Sequence, residues 1–370
     1  MRKRILSLLT ALMVMTSLTP AVFAEEASQT VTYTLSLNDA ITMAQERDMG
    51  YVSADTSIKN AQRQLEQAKK DQRDLKGPIR LPAGLANVSV KQGYYVEQAR
   101  IGVESAIRAK KQLQSSNAYS ITQQYYGVKL AEAVSKNLMT AYELALNNKA
   151  TIDTQFALGM VAELDVKNAQ YSVNEMKASL EKAQRNLEIA RKSLAVALYI
   201  EEENFILNLT DDIEYKEFSA DLFEDTKKAM ENRYDVYQLK SVYTQAEKYM
   251  DVAVLLGTTS SQYSAANQAK VAAESTYKNT TKLIGISINS SYNSILDAKD
   301  ALSLCEEKLA LRQQEYDIAV IQHGLGMMTN SALTAAMTNV TGAQTELENA
   351  KLTYKLAVEK YGYEIEIGLK

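Results

Sequence analysis

The sequence predicts an all-α protein whose long helices pair as antiparallel coiled-coil hairpins, in a duplicated arrangement with little or no β-structure. Three observations lead to this prediction: a shortage of turn residues, an internal repeat and a heptad pattern. The chain of 370 residues contains only 14 Gly and 3 Pro, roughly 5% where about 12% is usual. Sandwiches, barrels and doubly wound sheets of this length need more turns, so long helices are left.

The chain repeats itself, because a shift of 167 positions aligns two long stretches without a gap. Ser120-Ile121 falls on Ser287-Ile288, and Leu158-Gly159-Met160 falls on Leu325-Gly326-Met327. After each glycine the apolar residues step by three and four in turn, the pattern of a left-handed coiled coil. These residues are Val166, Ala169, Val173, Met176, Leu180, Ala183, Leu187, Ala190 and Leu194 in the first copy, and Leu333, Ala336, Val340, Ala343, Leu347, Ala350, Tyr354, Ala357 and Tyr361 in the second.

The positions of the breakers predict the lengths of the helices. Tyr94 to Ala157 contains no Pro, and 64 helical residues would extend about 96 Å. The returning arm, Leu164–Leu198, is about half as long, and the N-terminal segment Leu37–Lys70 has the length to fill the remainder. Ser36 and Asp39 form a capping box for that segment.

The second copy contains the same parts, and a linker separates the two copies. Its segments are Leu222–Val254, Ala265–His323 and Thr329–Tyr361, and the linker contains a candidate strand at Phe205–Leu209. The predicted organisation is a signal peptide at 1–24, a first repeat at 25–199 with its tip near 158–161, an irregular linker at 200–221, and a second repeat at 222–370 with its tip near 325–328.

The first 24 residues are typical of a secretory signal peptide. A basic start, Met1 to Arg4, precedes an apolar stretch, Ile5 to Leu18, and Val22-Phe23-Ala24 offers a cleavage site. The alternative is a transmembrane anchor, but the apolar run is shorter than the ~20 residues needed to span a bilayer. We therefore expect export to the cell envelope.

Composition argues against several classes of function. The chain has 41 Lys+Arg and 45 Asp+Glu, one His, one Cys and no Trp. With a net charge of −4 and no basic stripe expected, nucleic acid is an improbable partner. No catalytic, cofactor-binding or metal-binding residues are predicted, because zinc sites and Cys/His nucleophile pairs need more His and Cys. Cys305 falls at a heptad core position and is expected to be buried.

The chain resembles the TolC-like outer membrane efflux proteins (outer membrane factors) over essentially its whole mature length. The opening Leu35-Ser36-Leu37-Asn38-Asp39-Ala40 is similar to the family's first helix. The segment from Gln155 to Gln170, QFALGMVAELDVKNAQ, is similar to its hairpin tip, where an aromatic residue, a Gly and an Asp-Val pair followed by Ala recur.

The resemblance implies a trimer whose helical arms form a tube for efflux or type I secretion. The tips would dock a periplasmic adaptor protein, and a pump would lie in the inner membrane. Family members also insert membrane-spanning β-strands into each copy, but the slots at Leu75–Tyr94 and Leu255–Ala266 lack the necessary alternation. We expect the barrel strands to be absent, which makes insertion into an outer membrane doubtful.

The predicted docking residues are those that form the two exposed apolar tips: Leu158, Gly159, Met160, Leu325, Gly326 and Met327. The alternative is that they only close the hairpins. Some relatives place acids six and nine residues after the second tip glycine, where this chain has Ala332 and Ala335. In the first copy Asp165 keeps one such acid. It is a candidate for the pore mouth or a first-turn acid favoured by the helix dipole.

Three classes of function remain. The chain is a conduit in an efflux or secretion assembly, an extracytoplasmic coiled-coil scaffold with no conduit role, or an enzyme. The residue inventory argues against the enzyme, and the duplicated tip favours the conduit.

Overall fold

The computed structural model describes residues 31–75, 85–202, 204–215 and 217–369. The predicted signal peptide at 1–24 lies outside these residues. In chain order the elements are β1 (Val31–Leu35), α1 (Leu37–Arg47), α2 (Met49–Asp74), α3 (Leu85–Lys91), α4 (Tyr94–Ala157), α5 (Glu163–Ala197), β2 (Phe205–Leu209), α6 (Leu222–Asn232), α7 (Tyr234–Leu255), α8 (Ser261–Gly324) and α9 (Asn330–Glu366).

The all-α prediction is confirmed, and the described strands are one short parallel pair. β2 occupies the segment predicted for it and pairs with β1 in register, Val31 opposite Phe205 and Leu35 opposite Leu209. In the first slot, the segment from Leu85 to Val90 alternates weakly in sequence but folds as the helix α3. Residues 76–84 of that slot lie outside the described residues.

The two long arms, α4 and α8, have 64 residues each. Near the middle of the first arm, Ile121 and Tyr125 share a core with Leu194 and Leu198 of α5. Nearer its end, Ala141 and Ala145 share a core with Val173 and Met176. Because later residues of α4 meet earlier residues of α5, the two helices are antiparallel.

The predicted heptad faces point inward in both returning helices. Met176, Leu180 and Leu194 are buried in α5, and Val340 and Leu347 are buried in α9. Met337 joins Val173 and Met176 in a common core, so α9 also packs against the first hairpin. Cys305 was expected to be buried, but it is half-buried at the margin of the second core.

The N-terminal segment of each repeat is divided into two helices, whereas the sequence predicted one. The first begins with the predicted capping box, in which Ser36 Oγ accepts from Asp39 N–H at 3.2 Å and Ser36 N–H donates to Asp39 Oδ2 at 3.1 Å. It breaks at Asp48, whose carboxylate caps α2 by accepting from Gly50 N–H at 2.7 Å. Asn117 of α4 also donates to Asp48, at 2.6 Å.

An arginine at each break holds the end of the returning helix of the same repeat. Arg47 donates to the carbonyls of Leu198 and Tyr199 at 3.3 and 3.0 Å. Arg233, between α6 and α7, donates to the carbonyl of Glu364 at 3.2 Å. Carbonyls at a helix C-terminus lack intrahelical donors. Each arginine supplies such a donor and so links the break in the N-terminal segment to the C-terminal end of the returning helix.

Candidate functional site

The two tips close with the same hydrogen-bond pattern. At the first tip, Met160 N–H donates to Gln155 C=O at 2.9 Å and Gly159 N–H donates to Phe156 C=O at 2.9 Å. At the second, Met327 donates to Gln322 at 2.8 Å and Gly326 donates to His323 at 3.0 Å. Both are Schellman motifs, which end a helix with one left-handed residue.

The glycines are required by backbone conformation and not by crowding. Gly159 has φ of 72° and Gly326 has φ of 73°, values at which a side chain strains the backbone. Apart from the glycine and its chain neighbours, no atom lies within 4 Å of where a Cβ would stand at either residue. A side chain would therefore have room at either position.

The apolar residues beside each glycine are exposed, as the sequence predicted. Leu158 and Met160 are both 70% exposed, and Leu325 and Met327 are 69% and 75% exposed. Large apolar side chains exposed together are a common feature of surfaces that contact other proteins. The structure thus places four exposed apolar side chains on two turns of the same geometry.

The helices that follow the two turns are capped in different ways. In the first repeat Ala162 has no capping side chain, and its N–H donates to Asp165 Oδ2 at 3.0 Å. In the second, Thr329 Oγ1 accepts from Ala332 N–H at 3.3 Å. Asp165 therefore has a local structural role as a first-turn acid, and its place at a pore mouth stays a prediction.

A cleft of about 430 Å³ separates the two tips and is lined by both. Asp165, Met160 and Val161 contribute from the first hairpin, and His323, Leu325 and Gly326 contribute from the second. The structure thus brings Asp165 and His323 to one cleft although they are far apart in sequence.

Sequence analysis missed a polar contact beside this cleft. Asn148 Nδ2 of α4 donates to Asn330 Oδ1 at the start of α9. Asn330 is buried and lines the cleft, and among the described residues its Nδ2 has no hydrogen-bond partner. No sequence signal links two asparagines that are 182 positions apart, so only the packing of α4 on α9 reveals the pair.

The described residues contain no group of three or more His, Cys, Asp or Glu side chains that could hold a metal ion. Within the same part of the chain, no helix is both long and apolar enough to cross a membrane.

No family model matches this sequence, and no curated protein matches it. The fold, in contrast, is similar to solved outer membrane proteins. The Campylobacter jejuni CmeC outer membrane channel is 16% identical, with a TM-score of 0.68 over 90% of this chain and 86% of that one. VceC, an outer membrane protein of Vibrio cholerae, is 14% identical, with a TM-score of 0.69 over 90% of this chain and 97% of that one.

A third neighbour is the open state of the Neisseria gonorrhoeae MtrE outer membrane channel, 14% identical, with a TM-score of 0.69 over 90% of this chain and 89% of that one. Each of these proteins is named as a channel or an outer membrane protein, not as an enzyme. The chain therefore has the TolC-like fold of outer membrane channels. At these identities the likeness establishes the fold alone.

Proposed function

We propose that this protein is a TolC-like conduit of an efflux or type I secretion assembly in the cell envelope, without enzymatic activity. In this proposal the mature chain forms a homotrimeric helical tube from its two repeats, 25–199 and 222–370, joined by the linker 200–221. Its tips dock an extracytoplasmic adaptor protein that connects the tube to an inner-membrane pump. The observation that carries the proposal is the pair of exposed tips with one geometry, on a channel fold.

The arrangement of the helices supports assembly with further copies. Among the four helices α4, α5, α8 and α9, the main contacts run from α5 to α4, from α4 to α9 and from α9 to α8. Helices α5 and α8 are therefore the two ends of this row. On α8 an apolar row at intervals of seven residues is exposed, Leu304, Leu311 and Ile318, and the next step reaches the exposed Leu325 just past the end of the helix.

The opposite side helix has a shorter row of the same kind. Leu164 and Tyr171 of α5 are also seven residues apart and exposed. Apolar residues at heptad spacing on an exposed face are typical of coiled-coil seams. We infer that the α8 row of one copy packs against the α5 row of the next, which would close a ring.

The oligomer is tested by light scattering on residues 25–370 in buffer without detergent. We expect the mass of a trimer, and Leu311→Glu with Ile318→Glu should give monomers, because the added charges would be buried between copies. A matched control adds two carboxylates at polar exposed positions of the same helix away from the Leu311–Ile318 face, Ser303→Glu with Gln313→Glu, and should leave the trimer intact. A wild-type monomer would contradict the tube.

Docking is tested at the tips. Proline cannot adopt the positive φ of these turns, so Gly159→Pro with Gly326→Pro should abolish capture of the adaptor while the arms stay helical by circular dichroism. Unchanged capture would remove the tips from the docking surface. Asp165→Asn tests the pore mouth separately: we expect altered cation sensitivity of transport in cells that carry the assembled system if Asp165 lines the pore, and none if it only caps α5.

The second candidate is an extracytoplasmic coiled-coil scaffold with no conduit role. The shortness of the second slot favours it, because the turn at Gly257 is followed within a few residues by the start of α8 at Ser261. A stable wild-type monomer that still binds its partners would support the scaffold over the conduit.

A further inference from the structure

The exposed face of α2 carries a straight row of residues at coiled-coil spacing, all of them polar except the first. Steps of four and three lead along this row, and every member is exposed: Val52, Thr56, Lys59, Arg63, Glu66, Lys70 and Arg73. The opposite face packs on α4, where Tyr51 is buried and Asp55 pairs with Lys110 at 2.6 Å. Helix α2 thus shows to solvent a row that would normally be apolar in a coiled coil.

Four members of the row are cations: Lys59, Arg63, Lys70 and Arg73, which we call the basic stripe. The ion pairs of the described residues include none of these four, and the one acid of the row, Glu66, pairs with Lys69 at 2.8 Å. The four cations also line one shallow groove of about 540 Å³ together with Gln62, Glu66 and Gln67. The expectation that the chain has no basic stripe is therefore wrong for α2.

The fold itself does not require these charges. The alignment that sets Arg47 on Arg233 shifts the sequence by 186 positions and puts Gln245, Tyr249 and Val252 in place of Lys59, Arg63 and Glu66. The matching helix α7, which packs mainly on α8, has no such stripe, and its Val252 is buried where Glu66 is exposed. Unpaired like charges along one helix are mildly destabilising, which makes their concentration on α2 informative.

We propose that the basic stripe binds a linear polyanion that carries phosphate groups. Lys59 and Arg73 are 14 residues apart, so the stripe is straight and about 21 Å long. A narrow chain of phosphates can follow such a row and contact each cation in turn. A flat membrane surface would also meet the exposed carboxylates of Asp71 and Asp74 beside the stripe, so the structure favours a polymer.

The probe is inorganic polyphosphate, and its binding to the wild-type chain is followed by fluorescence anisotropy of an end-labelled polymer. Four phosphate contacts predict a salt slope near −3, so that affinity falls roughly 50-fold between 50 and 200 mM salt. Lys59→Gln, Arg63→Gln, Lys70→Gln and Arg73→Gln together should abolish binding. Glutamine keeps the helix propensity of α2, and circular dichroism checks that the fold is retained.

A control variant removes the same charge from α5, at Lys177, Lys182, Arg185 and Lys192, each to Gln. We expect it to bind polyphosphate within about twofold of the wild type, because these cations do not lie in the stripe. An equal loss in both variants would mean that net charge alone attracts the polymer, and the proposal would fail.

Vesicles that contain an anionic phospholipid form the second arm of the experiment. Stripe-dependent binding to vesicles, with no stripe-dependent binding to polyphosphate, would assign the stripe to a membrane surface and overturn the polymer. The proposal does not depend on the conduit, because neither arm requires a trimer or an adaptor.

Discussion

The tips of the two repeats are alike in geometry, whereas the cores near the middle of each repeat contain different polar contacts. We call the core around Tyr125 the first middle and the core around Tyr361 the second middle. In the first middle, the fully buried Tyr125 donates to Leu35 C=O at 3.0 Å and accepts from Asp211 N–H at 2.9 Å. In the second, Tyr361 donates to the buried carboxylate of Asp225 at 3.1 Å. A turn with positive φ admits few sequences, while a core admits any set of side chains that fills space and satisfies its polar groups.

The middles also hold their connecting segments in different ways. The hydroxyl of Tyr125 bridges the carbonyl of Leu35, at the end of β1, and the N–H of Asp211, and so fixes the linker where it leaves the sheet. In the second repeat Tyr354 performs a comparable role, because its hydroxyl accepts from Phe218 N–H at 3.0 Å. Phe218 then packs with the rings of Tyr292 and Tyr361. A buried tyrosine thus holds the connecting segment in both repeats, although it lies at a different position in each.

The largest effect is expected from removal of the tyrosine that aligns in both middles. Tyr125→Ala should lower the free energy of unfolding by about 3–5 kcal/mol, because it opens a large cavity in a fully buried core. Tyr292→Ala, at the matching half-buried position, should cost roughly 1–2 kcal/mol. Urea denaturation measures both. Equal losses would show that the two middles are energetically equivalent.

A smaller effect is expected at the polar pair of the second middle. Tyr361→Phe takes away the hydroxyl that donates to Asp225 and should cost about 1–3 kcal/mol, because a buried carboxylate loses a hydrogen bond. Tyr292→Phe serves as the control within the same aromatic cluster, and we expect it to be nearly neutral. If the two variants had the same stability, the Asp225 contact would contribute nothing.

The tips should respond equally and weakly to loss of their caps. Asp165→Ala and Thr329→Ala each remove one capping hydrogen bond, and each should cost about 1 kcal/mol in local stability. Hydrogen exchange at the first amides of α5 and α9 reports this. Conversely, Ala332→Asp would complete a capping box with Thr329 and should slow exchange in α9. Faster exchange there would contradict the equivalence of the two tips.

Alkaline pH should weaken the first middle gradually. Burial, together with the nearby carboxylate of Asp211, raises the pKa of Tyr126 to about 12 from its ordinary value of 10.0. The folded state therefore favours the neutral phenol, so its stabilising contribution is complete below pH 10 and is lost as the pH rises toward about 12. Tyr126→Phe should reduce the fall in unfolding midpoint between about pH 9 and about pH 11.5, whereas the exposed Tyr171→Phe should not.

Much of the architecture could be predicted because its signals are local or periodic. The α4 bounds, Tyr94–Ala157, follow from the absence of Pro and from the glycine that ends the helix. The capping box at Ser36 is a four-residue pattern with its own hydrogen bonds. The breaks at Asp48 and Arg233 were missed because neither is a Pro or Gly. Each depends on distant partners: Asp48 on Asn117, and Arg233 on the end of α9.

The sequence by itself determined the helical class, the two long arms and the left-handed glycine of each tip, since periodicity and φ preferences belong to the local chain. Only the tertiary structure decided which hairpin faces meet, how Asn148 finds Asn330, and which charges on α2 are left unpaired. Such contacts join residues more than a hundred positions apart, or depend on which side of a helix its neighbour covers. The basic stripe illustrates the difference, because the acid that lies within it, Glu66, pairs with Lys69 and not with any of the four cations.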